Sequence, residues 1–152
     1  MIGQGVLFDD YEIGATYKTL GRTVSETDIV TFVNLGGFTE PLFMDMEYVK
    51  KESVFGRRAA PGAMTFALSE GLCMQTGLIH GTGMAWLGGE VKVTAPVLEG
   101  DTIYVEIEIV DKRETKKPDR GIVTYKHRVL NQRGETVMEL KLQRMIKRKK
   151  NI

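Results

Sequence analysis

Apolar positions change their period halfway along the chain. Between Phe55 and Gly77 (FGRRAAPGAMTFALSEGLCMQTG), Met64, Ala67, Leu68, Gly71 and Leu72 recur at three- and four-residue spacing, which predicts a helix. Ala63, Phe66 and Cys73 carry apolar character onto its other faces, so this helix is expected to be buried almost all round. Gly77 supplies a C-terminal stop. Beyond it the period becomes two. Ile103, Val105, Ile107 and Ile109 alternate with Tyr104, Glu106 and Glu108, the pattern of a strand with one covered face. Met138, Leu140 and Leu142 alternate in the same way with Glu139, Lys141 and Gln143. Residues 116–121, with Pro118-Asp119, and 131–134 read as turns around a further strand, Ile122 to Leu130. Residues 83–97 read as a strand ending at Pro96. One buried helix followed by a run of antiparallel strands predicts an α+β fold, with a sheet wrapped around the helix.

The N-terminal half is more broken. Thr16 to Val24 reads as a strand interrupted by Gly21. Ser25 is a good N-cap, with Asp28 three residues on in the manner of a capping box, and Ile29, Phe32 and Val33 share a helix face. Gly36-Gly37 ends that helix. Residues 38–45 (FTEPLFMD) read as a loop, because Pro41 removes a donor and disfavours a helical Glu40. So apolar a loop either packs down or lines an apolar pocket. Asp45 caps a short helix through Tyr48 and Val49.

Composition narrows the class. A chain of 152 residues, 42% apolar and 27% charged, suits one domain, with a core over about 8–146 and a basic, solvated tail at 147–152. A net charge of +1 gives no argument for a nucleic-acid partner. The absence of a signal peptide and of a long apolar run leads to the expectation of a cytoplasmic protein that does not enter the membrane. The single cysteine, Cys73, reads as an inert buried thiol. Two histidines far apart make no metal spacing, and no phosphate loop or dinucleotide fingerprint occurs.

Longer stretches resemble a known family. FGRRAAPGAMTFALSEGL, TAPVLEGDTIYVEIEIVDKRE and VLNQRGETVMEL, in this order behind short helices and a Pro-containing loop, are similar to the MaoC-like dehydratases and (R)-specific enoyl-CoA hydratases. The resemblance runs from about Phe8 to Met145. It implies a single hot-dog domain, a homodimer, and an acyl-CoA or related thioester as substrate, with no further cofactor and no metal. It implies that the Gly62 backbone N–H, with that of Ala63, holds the thioester carbonyl oxygen at the helix start. The family's catalytic loop reads Gly-Asp-x-Asn-Pro-Leu-His-x-Asp. Here residues 37–45 read Gly-Phe-Thr-Glu-Pro-Leu-Phe-Met-Asp. Phe38 and Phe43 stand at the catalytic aspartate and histidine, Glu40 at the asparagine, and Pro61 where many relatives carry a histidine. Neither phenylalanine moves a proton, and general acid–base catalysis is worth about 10²–10⁴-fold.

The candidate site follows. Glu40 is the ionisable group of the apolar loop, and is expected either as a desolvated base or as a solvent-facing carboxylate. Gly62 holds the carbonyl, and Phe38, Phe43, Pro61 and Ala63 flank the acyl group. The leading reading is hydration or dehydration of an enoyl thioester. The alternatives are a hot-dog thioesterase using Glu40 or Glu70, and a non-catalytic acyl-thioester binder or partner subunit. His127, on the parity of Val123, Tyr125 and Val129, reads as a satisfied histidine on a packed or dimer face. His80 reads as exposed. Arg57 and Arg58 read as solvated loop residues or as partners for coenzyme A phosphates, and Trp86 as packed in the sheet or a dimer interface.

Overall fold

The computed structural model describes residues 3–149. A six-stranded antiparallel sheet curves around one long helix. Its strands are β1 (Thr16–Lys18), β2 (Arg22–Thr23), β3 (Gly83–Val93), β4 (Thr102–Glu114), β5 (Arg120–Leu130) and β6 (Thr136–Lys147). The order across the sheet is β1-β4-β5-β6-β3, with β2 also on β4. The alternating residues are the reason for the curve's filled inner side. Ile103, Val105, Ile107 and Ile109 are all buried, with Val123, Tyr125, His127 and Val129 beside them on β5 and Met138, Leu140 and Leu142 on β6. This is the α+β hot-dog arrangement.

The helices are α1 (Glu26–Gly36), α2 (Pro41–Met44), α3 (Met46–Glu52) and α4 (Gly62–Gln75). Ser25 and Asp28 form a reciprocal capping box on α1, and Gly37 ends it at φ 70. Asp45 accepts from the Glu47 and Tyr48 amides and so starts α3. The expected loop at 38–45 contains α2. Pro41 is its first residue, where no amide donor is required, so proline opens the helix here.

Two expectations are corrected. α4 is not buried all round. Met64, Thr65, Ser69, Leu72 and Cys73 face the sheet, but Ala63, Ala67, Gly71 and Met74 form an open stripe. β3, the long edge strand, is likewise uncovered, with Trp86, Leu87, Val91 and Val93 exposed. Nor is the ordered body confined to 8–146. The Gly5 and Val6 amides donate to the carbonyls of His80 and Leu78, and β6 continues to Lys147. Arg148, expected in a solvated tail, pairs with Asp9 and Glu114. Lys150 to Ile152 lie outside the described residues.

Candidate functional site

The start of α4 is fixed from both sides. Residues 58–60 run antiparallel to 97–99: the Ala60 amide donates to the Val97 carbonyl at 2.8 Å, and the Glu99 amide to the Arg58 carbonyl at 2.9 Å. That second segment is held by Asp101. Its carboxylate accepts from the Leu98 amide and the Gln132 side chain, which together outweigh burial and hold the carboxyl below its ordinary range. Asn131 accepts from the Arg133 and Glu135 amides, closing the neighbouring turn. The Gly100-Asp101 and Asn131-Gln132 stretches therefore brace the helix start without touching its crevice.

A crevice of about 370 Å³ opens at this helix start. Phe43, Phe55, Pro61, Gly62, Thr65 and Val93 are among the residues lining it. The Met64 and Thr65 amides both turn back to the Pro61 carbonyl, at 2.9 and 3.1 Å. The Gly62 and Ala63 amides precede them, where a helix has no carbonyl of its own to offer. A Cβ on Gly62 would stand 3.3 Å from Val93 Cγ2, so glycine keeps this end of the crevice open. Among the described residues, no Asp, Glu, His, Lys or Arg side chain lines it.

The expected site residues separate. Phe43, Pro61 and Gly62 line the crevice; Ala63 lies on the open stripe of α4. Phe38 packs on Phe32 and Phe43, with ring centroids 5.4 and 6.2 Å apart, against the core. Glu40 is exposed just before α2. Two residues of the site escape sequence reasoning. Thr65 is the buried hydroxyl of the lining, and its only signal is a polar residue one turn after Gly62. Arg58, read as a solvated loop residue or a partner for coenzyme A phosphates, is buried. It donates to the Phe43 carbonyl at 3.1 Å and pairs with Glu26 at 3.1 Å, so it fixes Phe43 against α1. Arg57 stays exposed and donates to the Glu99 carbonyl.

Glu70, His127 and Cys73 form a second polar cluster behind α4. Arg144 donates to both Glu70 oxygens, at 2.6 and 2.8 Å. Burial, with the Arg144 charge beside it, takes His127 down to about 3, and burial pushes the Cys73 thiol up to about 12. Both are neutral near pH 7, so Cys73 is an inert thiol in this state. His80 is exposed, and Trp86, half-exposed on β3, meets Phe66 edge to face at 5.9 Å.

Comparison with known proteins agrees with this architecture. The family model described as a MaoC like domain matches residues 10–131. The chain is similar to the monoamine oxidase regulatory protein of Archaeoglobus fulgidus, with a TM-score of 0.88 and 34% identity over 97% of both chains. It is similar to a MaoC-like dehydratase of Rhodospirillum rubrum, with a TM-score of 0.86 and 30% identity over 97% of this chain and 100% of the other. An (R)-specific enoyl-CoA hydratase of Rhodospirillum rubrum is 28% identical over 119 residues, 78% of this chain and 77% of that protein. No helix among the described residues is long and apolar enough to cross a membrane. With its helix start, its curved sheet and most of its length matched, the chain belongs to the MaoC-like domain family.

Proposed function

We propose that this chain binds an acyl-CoA or related acyl thioester in the crevice at the start of α4 and hydrates or dehydrates its enoyl form. The carrying observation is the crevice itself: about 370 Å³, apolar, and ending at the unpaired first amides of a fourteen-residue helix. Such amides favour the charge that develops on a thioester oxygen. The hydratase and dehydratase names of the relatives supply the reaction class. Gly62 and Ala63 hold the oxygen, Phe43 and Pro61 flank the acyl chain, and Glu40 serves as base. Glu40 lies outside the lining, so this role requires the 38–45 segment to close over bound ligand.

One observation favours a second reading, thioester binding without turnover: the lining holds no titratable side chain. The experiment incubates the purified protein with enoyl-CoA and saturated acyl-CoA thioesters, following enoyl absorbance and free thiol together. Loss of the enoyl band without thiol, abolished in Glu40→Gln, supports hydration. Hydration unchanged in Glu40→Gln removes Glu40. Thiol release means a thioesterase. Silence in both channels with saturable binding supports the second reading.

The partner we propose is a second copy of this chain. The open edge of β3 and the open stripe of α4 are both apolar, and together they form one uncovered side. Sedimentation of the purified protein tests it; a monomer at micromolar concentration would refute it.

A further inference from the structure

We infer that Glu70, Cys73 and His127 form a binding site for a thiophilic divalent cation of the zinc class. Glu70 and Cys73 are three residues apart on α4, so they share a helix face. His127 reaches the same point from the middle of β5. Its Nδ1 lies 3.8 Å from Cys73 Sγ and 3.8 Å from Glu70 Oε1. All three donor atoms fall within 4.8 Å of one another. Zinc bonds of about 2.3 Å to sulfur and about 2.1 Å to nitrogen or oxygen place tetrahedral donors roughly 3.4–3.6 Å apart. The contacts to His127 therefore need to close by only a few tenths of an ångström, within the reach of small side-chain rotations.

Two other accounts of the cluster fail on geometry. A nucleophilic triad needs the thiol and the carboxylate on opposite ring nitrogens, so that the imidazole relays a proton between them. Here both approach Nδ1. A hydrogen-bond network accounts for only one of the two contacts: the thiol lies within the longer reach of a sulfur hydrogen bond, while Glu70 Oε1 at 3.8 Å is too far to bond to the same nitrogen. A single cation between the three donors satisfies all of them.

The surroundings suit the ion. Arg144, from β6, grips both oxygens of Glu70 while Oε1 remains the oxygen nearest His127, an outer contact that orients a ligand. Tyr125 and Tyr11 lie behind and bond to each other at 2.7 Å. Cysteine ligates as its thiolate, so binding releases one proton and strengthens as pH rises. Glutamate, arginine, thiolate and a divalent cation then sum to one positive charge.

The test titrates chelator-treated protein with Co²⁺, whose spectrum reports its ligands. We expect one Co²⁺ per chain, a thiolate-to-cobalt charge-transfer band, release of one proton, and displacement by Zn²⁺. Cys73→Ser should abolish the band, and Glu70→Gln should lower affinity about tenfold with the band retained. His80→Ala, which removes the exposed histidine, should change nothing. Zinc-edge X-ray absorption on the unaltered protein should read one sulfur ligand, which keeps the test valid should Cys73→Ser fail to fold. No saturable band, a band surviving in Cys73→Ser, loss of binding in His80→Ala, or a zinc shell without sulfur would each overturn the assignment.

Discussion

Removing the Arg144 guanidinium should destabilise the protein far more than an ordinary surface change. Arg144 and Glu70 are 6% and 15% exposed in their side chains, and the guanidinium makes two short contacts to one carboxylate. It also lies over the Tyr125 ring, 5.6 Å from its centroid. Breaking a buried pair by deleting one partner costs about 3–5 kcal/mol, because the other charge is left uncompensated. Glu70 keeps a little contact with water, which moves the expectation for Arg144→Met to about 2–4 kcal/mol. With a urea slope of about 2 kcal/mol per molar, the unfolding midpoint should fall by about 1–2 M. Glu70→Leu added to Arg144→Met should recover at least half of this, since a well-packed apolar pair can replace a buried ionic one at little cost. The assay is equilibrium urea unfolding of the four proteins of the double-mutant cycle. Single losses below about 0.5 kcal/mol that simply add would refute the reasoning, by showing no coupling between the two side chains.

Three further outcomes are expected. Gly62→Ala places a methyl 3.3 Å from Val93 Cγ2 and should leave the fold intact while weakening thioester binding at least tenfold; unchanged affinity in a binding titration would remove the carbonyl from Gly62. His127 is held at about 3, well below its ordinary value, so below about pH 6.5 the unfolded chain takes up a proton that the folded chain refuses. This group's contribution to stability then falls by about 1.4 kcal/mol per pH unit as pH drops toward 3. His127→Gln should lack that slope in urea unfolding at pH 7, 6 and 5, and parallel slopes would refute the assignment. Gly89→Ala would drive a Cβ into the Lys141 carbonyl and the Leu142 backbone, at a cost of about 1–3 kcal/mol or more, read by thermal unfolding; a neutral result would mean that β3 and β6 pair less tightly than described.

The strands and the capped helices were legible because their signals are local. Ile103 to Ile109 alternate within one strand, and Ser25 with Asp28 needs only four residues. What stayed hidden depends on partners far away in the chain. Apolar Ala67 and Gly71 look like core, since composition cannot separate a face turned to the sheet from one left open. Arg58 gives no local sign of burial, since Glu26 and Phe43 reach it only in the fold; Arg144 likewise meets Glu70 only across 74 residues. Pro41 disfavours a helical Glu40, and Glu40 is extended; that Pro41 itself opens α2 depends on its being the first residue of the turn and not an interior one. At the candidate site, Gly62, Pro61 and Phe43 could be named from the resemblance, and all three line the crevice. The distance of Glu40 from the crevice could not, because it depends on how the 38–45 segment folds back.

The two edges of the sheet are unequal. β3 offers eleven residues of backbone, while the opposite edge is broken into β1, of three residues, β2, of two, and the end of β4 past Ile109, which neither of them pairs. If two copies join along β3, as proposed, the contact would be self-complementary and would use up the long edge of both. What remained outside would be broken into short pieces, a poor template for a further strand, so growth would end at a closed pair. The asymmetry would then act as a stopping rule: the surface that makes association favourable would be spent in a single event.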